Sequence, residues 1–152
     1  MAVKLEQLPP KLRKQAEQQL SGVGMKQGSG KLTIRVTPMG KPRMTQRDKW
    51  KKRPAAERYH AFKDVVREQG GSAIQPKAGK LSWTAYIPIP KSWSKKKKAE
   101  MRGAPHQQRP DRDNIDKAIL DALFEEDSHI YSGTIEKFWD DGAGARIEFF
   151  WA

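Results

Sequence analysis

Apolar residues recur along the chain at two different spacings, and each spacing predicts a different element. Alternation with period two, as in KLTIRVT, is typical of a half-buried strand. Recurrence at three and four residues, as for Tyr59, Phe62 and Val66, is typical of one face of a helix. The pattern predicts four strands, at residues 31–37, 81–89, 133–139 and 145–151, and two helices, at residues 55–69 and 114–124. A third, short basic helix is predicted at residues 95–102, because Ser92 or Ser94 can cap its start.

The first 30 residues have a different composition from the rest. Residues 9–20 (PPKLRKQAEQQL) begin at prolines and are rich in good helix formers, so we expect a short helix there. Residues 21–30 (SGVGMKQGSG) have the composition of a flexible linker. The remaining elements mix without a regular βαβ alternation, which predicts the α+β class. We therefore expect one compact domain at residues 31–152, a mixed β-sheet flanked by helices, after a helical extension and linker at residues 1–30.

The composition narrows the class of protein. A chain of 152 residues with 36% hydrophobic residues can bury the core of one domain. It has no run of about 18 apolar residues, so no membrane association is expected. It has no cysteine, which excludes disulfides and thiolate metal sites and is compatible with a reducing cytosol. No small-molecule cofactor is indicated.

Charge is unevenly distributed. The formal net charge is +12, yet residues 113–152 hold ten acidic and only three basic residues, a net −7. A basic body predicts a polyanionic partner, usually nucleic acid, although basic residues also serve solubility alone. Carboxylates repel phosphates, and a divalent cation between them would remove that repulsion.

The segment RPDRDNIDK brings together the residues best suited to such chemistry. Asp111 and Asp113 are two residues apart at the start of a predicted helix, and in extended backbone such positions point the same way. Lys117 follows Asp113 by about one helical turn and can reach the same space. Asp127 lies beyond the helix, so the chain would have to fold back to bring it near. Mg²⁺ prefers such oxygen ligands, and a nearby lysine can stabilise developing negative charge.

Ordinary structural roles would explain the same residues. Asp113 is a suitable helix N-cap, and Asp116 three residues later would complete a capping box. Lys117 could pair with Asp113 or Asp121 on the helix surface. Asp127 could be a turn residue. Spacing alone does not separate these alternatives from a metal site.

The segment RPDRDNIDKAILDALFEEDSHI resembles the signature of the RusA family of Holliday-junction resolvases: D-x-D-N-x-x-K at a helix entrance, an apolar helix ending in D-A-L, and an acidic D-S-x-I turn. GKPRMT and PKSWSKKKK resemble phage- and prophage-type members, and the resemblance extends over residues 31–150. It implies a homodimeric, Mg²⁺-dependent endonuclease, with Mn²⁺ as a substitute, that nicks four-way DNA junctions on symmetry-related strands in recombination and repair. The residues it implies as catalytic are Asp111, Asp113, Lys117 and Asp127, with the three aspartates as metal ligands.

Two basic regions and one arginine are suited to DNA phosphates, and neither region has an evident base-reading motif, which favours recognition by shape. We expect core packing rather than base stacking for Trp50, Trp83 and Trp93. Candidate surfaces for a dimer are residues 149–151 and the helix face that carries Tyr59, Phe62 and Val66. The candidate DNA contacts are Lys41, Arg43, Arg47, Lys51, Lys52, Lys95, Lys96, Lys97 and Arg109.

Two other functions stay open beside junction resolution. One is a non-catalytic basic module that binds nucleic acid, which predicts binding unaffected by metal. The other is a broader nuclease that cuts flaps or other branched DNA with the same residues. The clustered carboxylates argue against the first, because without a metal they would only weaken DNA binding.

Overall fold

The computed structural model describes residues 29–43 and 53–152, which form four strands and three α-helices besides a short 3-10 helix at Gly71–Ala73. The predicted helix at residues 9–20 and the linker up to residue 28 lie outside the described residues, as does Trp50. In chain order the elements are β1 (Gly30–Ile34), α1 (Pro54–Glu68), β2 (Leu81–Ile87), α2 (Lys95–Met101), α3 (Arg112–Leu123), β3 (Ile135–Trp139) and β4 (Arg146–Trp151).

The strands form one mixed sheet in the order β1-β4-β2-β3. β4 pairs antiparallel with both β1 and β2, whereas β2 and β3 are parallel. Parallel neighbours need a crossover connection, and α2 and α3 lie in that connection. The predicted α+β class with a mixed sheet is thereby confirmed.

The core lies between one face of the sheet and the helices α1 and α3. Trp83 and Phe149 on the sheet are almost fully buried with Ile115 and Ile119 of α3. The expectation of core packing holds for Trp83, and Trp93 is partly buried with its ring 4.8 Å from that of Trp139.

The helix face suggested as a dimer surface belongs to this core. Tyr59, Phe62 and Val66 are all at most 4% exposed within the single chain. That face cannot also contact a second copy, so the suggestion was wrong for this helix. Phe149 is buried as well, so Phe150 and Trp151 are the partly accessible residues of the suggested surface at 149–151.

The main difference from the predicted elements is the early end of the first strand. β1 stops at Ile34 instead of residue 37. The backbone N–H of Arg35 donates to Gln69 Oε1, and Gln69 Nε2 donates to the Arg35 carbonyl, both at 2.6 Å. A side-chain amide thus takes the hydrogen bonds that a continued strand would have made.

Residues 103–110 fix the approach to α3 because they run beside β3. The N–H of His106 donates to the Lys137 carbonyl at 3.1 Å, and the N–H of Trp139 donates to the Ala104 carbonyl at 2.9 Å. His106 is buried, with its ring 4.3 Å from that of Trp139. Burial and the charge of Lys137 lower the pKa of His106, so it anchors the segment as a neutral side chain.

Candidate active site

The carboxylates of Asp111 and Asp113 lie at the entrance of α3. Asp111 occupies the N-cap position with extended backbone, and its carbonyl accepts from the N–H groups of Asn114 and Ile115 at 3.1 and 3.0 Å. Its side chain makes no capping hydrogen bond. Both carboxylates are exposed to solvent. The helix start therefore holds their backbone while leaving their oxygens accessible.

The capping-box alternative is wrong. Asp113 lies within the first turn instead of at the cap position. Asp116 accepts a hydrogen bond from the indole Nε1 of the buried Trp83 at 2.8 Å, so it faces the sheet. Asp116 thus links α3 to β2 instead of reaching back to the helix start.

Lys117 lies beside Asp113, one turn further along α3. Its Nζ is 3.9 Å from Asp113 Oδ2, and the two side chains are 65% and 75% exposed. A pair this exposed adds little to stability. Both groups are consequently accessible to a ligand at the helix entrance.

An open cleft of about 470 Å³ at the same entrance combines basic and acidic groups. The N–H of Lys41 donates to the Asn114 carbonyl at 3.2 Å. This hydrogen bond joins the segment around Lys41 to the first turn of α3. A Cβ at Gly40 would lie 2.4 Å from Asn114 Nδ2, so glycine permits this close approach. The cleft is lined by Gly40, Lys41, Pro42, Arg109, Pro110, Asp111 and Asn114.

Besides lining the cleft with Asp111, Lys41 forms an ion pair with Asp121, which lies further along α3. Its Nζ is 4.0 Å from Asp121 Oδ2, and Lys63 Nζ is 3.4 Å from the same oxygen. Tyr59 also donates a hydrogen bond to Asp121. Burial opposes ionisation, but this hydrogen bond and the two lysines lower the pKa of Asp121. Asp121 is thereby part of the contact between α1 and α3.

Asp127 lies at the other end of α3. The 12-residue helix is about 18 Å long, and Asp127 follows it in a turn closed by the Ile130 N–H at 3.0 Å from the Asp127 carbonyl. Within residues 29–43 and 53–152, no three histidine or acidic side chains are grouped so that they could hold a metal ion. One chain therefore has Asp111 and Asp113 at the entrance of α3, whereas Asp127 follows the other end of the helix.

The residue that does return to the entrance of α3 is Lys137, which the sequence interpretation missed. Its Nζ donates to the carbonyls of Gln108 and Pro110, the latter at 2.7 Å. Burial lowers the pKa of the Lys137 ammonium, and the nearby charge of Asp111 opposes that shift. The sequence held a signal, because Lys137 falls on the apolar side of the alternating segment IEKFW.

The remaining candidate DNA contacts are dispersed. Lys95, Lys96 and Lys97 are exposed on α2, whose N-cap Ser94 accepts from the Lys97 N–H at 3.2 Å, as expected for a serine cap. The Nζ of Lys97 lies 4.1 Å from the centre of the Trp93 ring. Arg43 and Arg109 are exposed, whereas Arg47, Lys51 and Lys52 lie outside the described residues.

The two carboxylates of Asp111 and Asp113 fit a hard divalent cation. Mg²⁺ is commonly bound by one or two carboxylates, with water and substrate phosphate as the other ligands. Their exposure leaves room for those other ligands. A third protein ligand is not required by this chemistry.

The candidate site lies within the part of the chain that matches a known family. The chain matches the family model described as Endodeoxyribonuclease RusA over residues 33–149, which include the cleft, α3 and the turn at Asp127. It therefore belongs to the RusA family of Holliday-junction endodeoxyribonucleases. Comparison with curated proteins gives no match. In the described part of the chain, no helix is both long enough and apolar enough for a membrane span.

Proposed function

We propose that this protein is a Mg²⁺-dependent endonuclease that resolves four-way DNA junctions by paired, symmetric nicks, in DNA recombination and repair in the cytoplasm of a bacterial or phage-infected cell. The observation that carries the proposal is the cleft at the entrance of α3, where Asp111 lies with Lys41 and Arg109. Acidic and basic groups in one cleft suit a phosphate held against a cation. A surface that only binds DNA would have no use for the carboxylates.

Each residue has a role in this proposal. Asp111 and Asp113 hold the ion, and Mn²⁺ can replace Mg²⁺ at such oxygen ligands. When bound, the ion polarises the scissile phosphate and activates a water molecule. Lys117 stabilises negative charge that develops on the phosphate, because its ammonium is 3.9 Å from Asp113 and exposed. Lys41 and Arg109 orient the DNA backbone in the cleft.

The direct test is cleavage of labelled four-way junctions. We expect Mg²⁺-dependent paired cuts by the parent and at least an about 100-fold slower rate for Asp113→Asn, with junction binding retained. Asp64→Asn is the matched control, since Asp64 is exposed on α1 away from the cleft. Equal rates for Asp113→Asn and the parent would overturn the assignment. Equal cutting of flaps and four-way junctions would instead favour the broader nuclease.

The proposed role of Asp127 requires a homodimer. A four-way junction has approximate two-fold symmetry, so two coordinated cuts suit two active sites related by a two-fold axis. Since one chain does not bring Asp127 to Asp111 and Asp113, we propose that Asp127 approaches the ion from the second copy. Each active site would then combine groups from both copies.

Mixing two inactive variants tests this arrangement. A dimer of one Asp113→Asn chain and one Asp127→Asn chain keeps one intact site only if the site is shared between copies. We expect subunit exchange between the two variants to restore single nicks in junctions. No recovery in a sample shown to contain the mixed dimer would contradict a shared site. Full activity of Asp127→Asn alone would remove Asp127 from the catalytic set.

A further inference from the structure

Lys137 is a charged residue on the apolar side of β3. Its neighbours on that side, Ile135 and Trp139, both pack with the core. Removing an ammonium from water is costly unless its hydrogen bonds are replaced. Here the replacement comes from two backbone carbonyls, those of Gln108 and Pro110, instead of from a carboxylate.

Both acceptors belong to the segment that leads into Asp111. The Pro110 carbonyl is part of the peptide bond directly before Asp111, and Lys137 Nζ holds it at 2.7 Å. On the other side, the Asp111 carbonyl accepts from Asn114 and Ile115. The backbone is thus fixed on both sides of Asp111, and mainly its side-chain torsions are free.

The Lys137 ammonium also interacts electrostatically with Asp111, whose negative charge favours the charged form of the lysine. Lys117, by contrast, pairs with Asp113 on the exposed side of α3. The two lysines therefore interact with different carboxylates, and Lys137 is half-buried whereas Lys117 is exposed.

We propose that Lys137 is a positioning residue of the metal centre, which fixes the backbone before Asp111 and places positive charge behind its carboxylate. The inference rests on the proposed function, in which Asp111 is a metal ligand. Metal ligands depend on such supporting groups, whose removal typically weakens metal binding 10- to 100-fold. Lys137 would not touch DNA or the ion.

The experiment compares Lys137→Met, Lys137→Arg and the parent. Mn²⁺ binding to the protein without DNA is followed by electron paramagnetic resonance, and junction cleavage is followed as a function of Mg²⁺ concentration. We expect Lys137→Met to weaken Mn²⁺ binding and raise the half-saturating Mg²⁺ concentration by about 10- to 100-fold. High Mg²⁺ should recover much of its rate, and junction binding in EDTA should stay within about twofold of the parent. Lys137→Arg, which keeps charge and donors, should retain most of the Mn²⁺ affinity.

Two outcomes would overturn the inference. One is a folded Lys137→Met protein with parental Mn²⁺ affinity. The other is an equal loss of junction binding and cleavage, which would make Lys137 a DNA contact. If Lys137→Met does not fold, Lys137→Gln takes its place under the same criteria, because it keeps one donor without the charge. Failure of the proposed function would show separately, as absence of cleavage by the parent, while the Mn²⁺ titration would still report on Lys137.

Discussion

Two aspartates at the entrance of α3 are close in sequence but differ in their surroundings. Asp111 lies in the cleft with Lys41 and Arg109, and Lys137 holds the backbone before it. Asp113 is 75% exposed and has Lys117 as its neighbour. At the residue scale, the role proposed for both carboxylates is metal binding, and the role proposed for Lys117 is stabilisation of charge on the phosphate.

Replacing Lys117 distinguishes an effect on the cleavage rate from an effect on the free energy of unfolding. We expect Lys117→Met to slow junction cleavage by about 100-fold, because positive charge near the reacting phosphate is lost. The free energy of unfolding should change by less than about 0.5 kcal/mol, because the pair with Asp113 is exposed. Single-turnover cleavage and urea unfolding measure the two quantities. Lys77→Met, at an exposed lysine outside the candidate DNA contacts, is the control, and an equal loss of rate in both variants would contradict the specific role.

At the scale of elements, the spacing of apolar residues predicted all four strands and the helices α1 and α3, because burial of one face determines both patterns. The helix α2 has no buried residue and was predicted from its serine cap instead. Ends were less predictable: β1 stops early because Gln69, distant in sequence, takes the hydrogen bonds of Arg35. The motif around Asp111 and Asp113 could be recognised in the sequence from the spacing of its residues and from its resemblance to the RusA family. The support from Lys137 was not predicted, because it depends on how β3 packs beside residues 108–110.

The turn before β4 depends on an ion pair. Arg146, only 6% exposed, donates from both terminal nitrogens to Asp141 at 3.0 Å, and its guanidinium lies over the Tyr86 ring. These hydrogen bonds and the charge of Arg146 lower the pKa of Asp141 to about 2. Asp141 is ionised in the folded protein at a pH where it would be half protonated in the unfolded chain, so it stabilises the fold at neutral pH.

This pair gives a pH-dependent prediction. The stabilisation is complete above the unfolded pKa of 3.8 and disappears as the pH falls through about 2. We therefore expect Asp141→Asn to be less stable than the parent at pH 7, with a difference that shrinks between pH 4 and pH 2. Denaturant unfolding across this range measures it, with Asp64→Asn as an exposed control on α1. A difference that is constant with pH would contradict the role of the Asp141 charge.

For the whole molecule, the formal net charge is +12, whereas the candidate site contains carboxylates. In the proposed function, long-range attraction brings DNA to the protein, and a bound cation offsets the negative charge at the entrance of α3. The lysines of α2 are suited to attracting DNA. They are exposed and lie in the connection between β2 and β3, as do the residues that lead into the cleft.

The salt dependence of DNA binding tests whether the lysines of α2 contact DNA phosphates. Each phosphate contact contributes about one to the slope of the logarithm of the binding constant against the logarithm of salt concentration. We expect the double variant Lys95→Gln, Lys96→Gln to reduce the steepness of this slope by about 1 to 2 without changing which junctions are cut. The matched control is Lys77→Gln, Lys80→Gln, two exposed lysines outside the candidate set. Equal slopes for all three proteins would remove α2 from the DNA interface.

The central claim is that a divalent cation binds at the entrance of α3, and its position can be measured directly. When hydrogen peroxide and ascorbate are added, Fe²⁺ that replaces Mg²⁺ reduces the peroxide to hydroxide and a hydroxyl radical, and ascorbate regenerates Fe²⁺. The radicals cut the polypeptide next to the ion. With junction DNA bound, we expect cuts near Asp111 and Asp113, a second set near Asp127 in the dimer, and loss of both sets in Asp113→Asn. Cuts only elsewhere, or cuts near Asp111 that persist in Asp113→Asn, would contradict the claim.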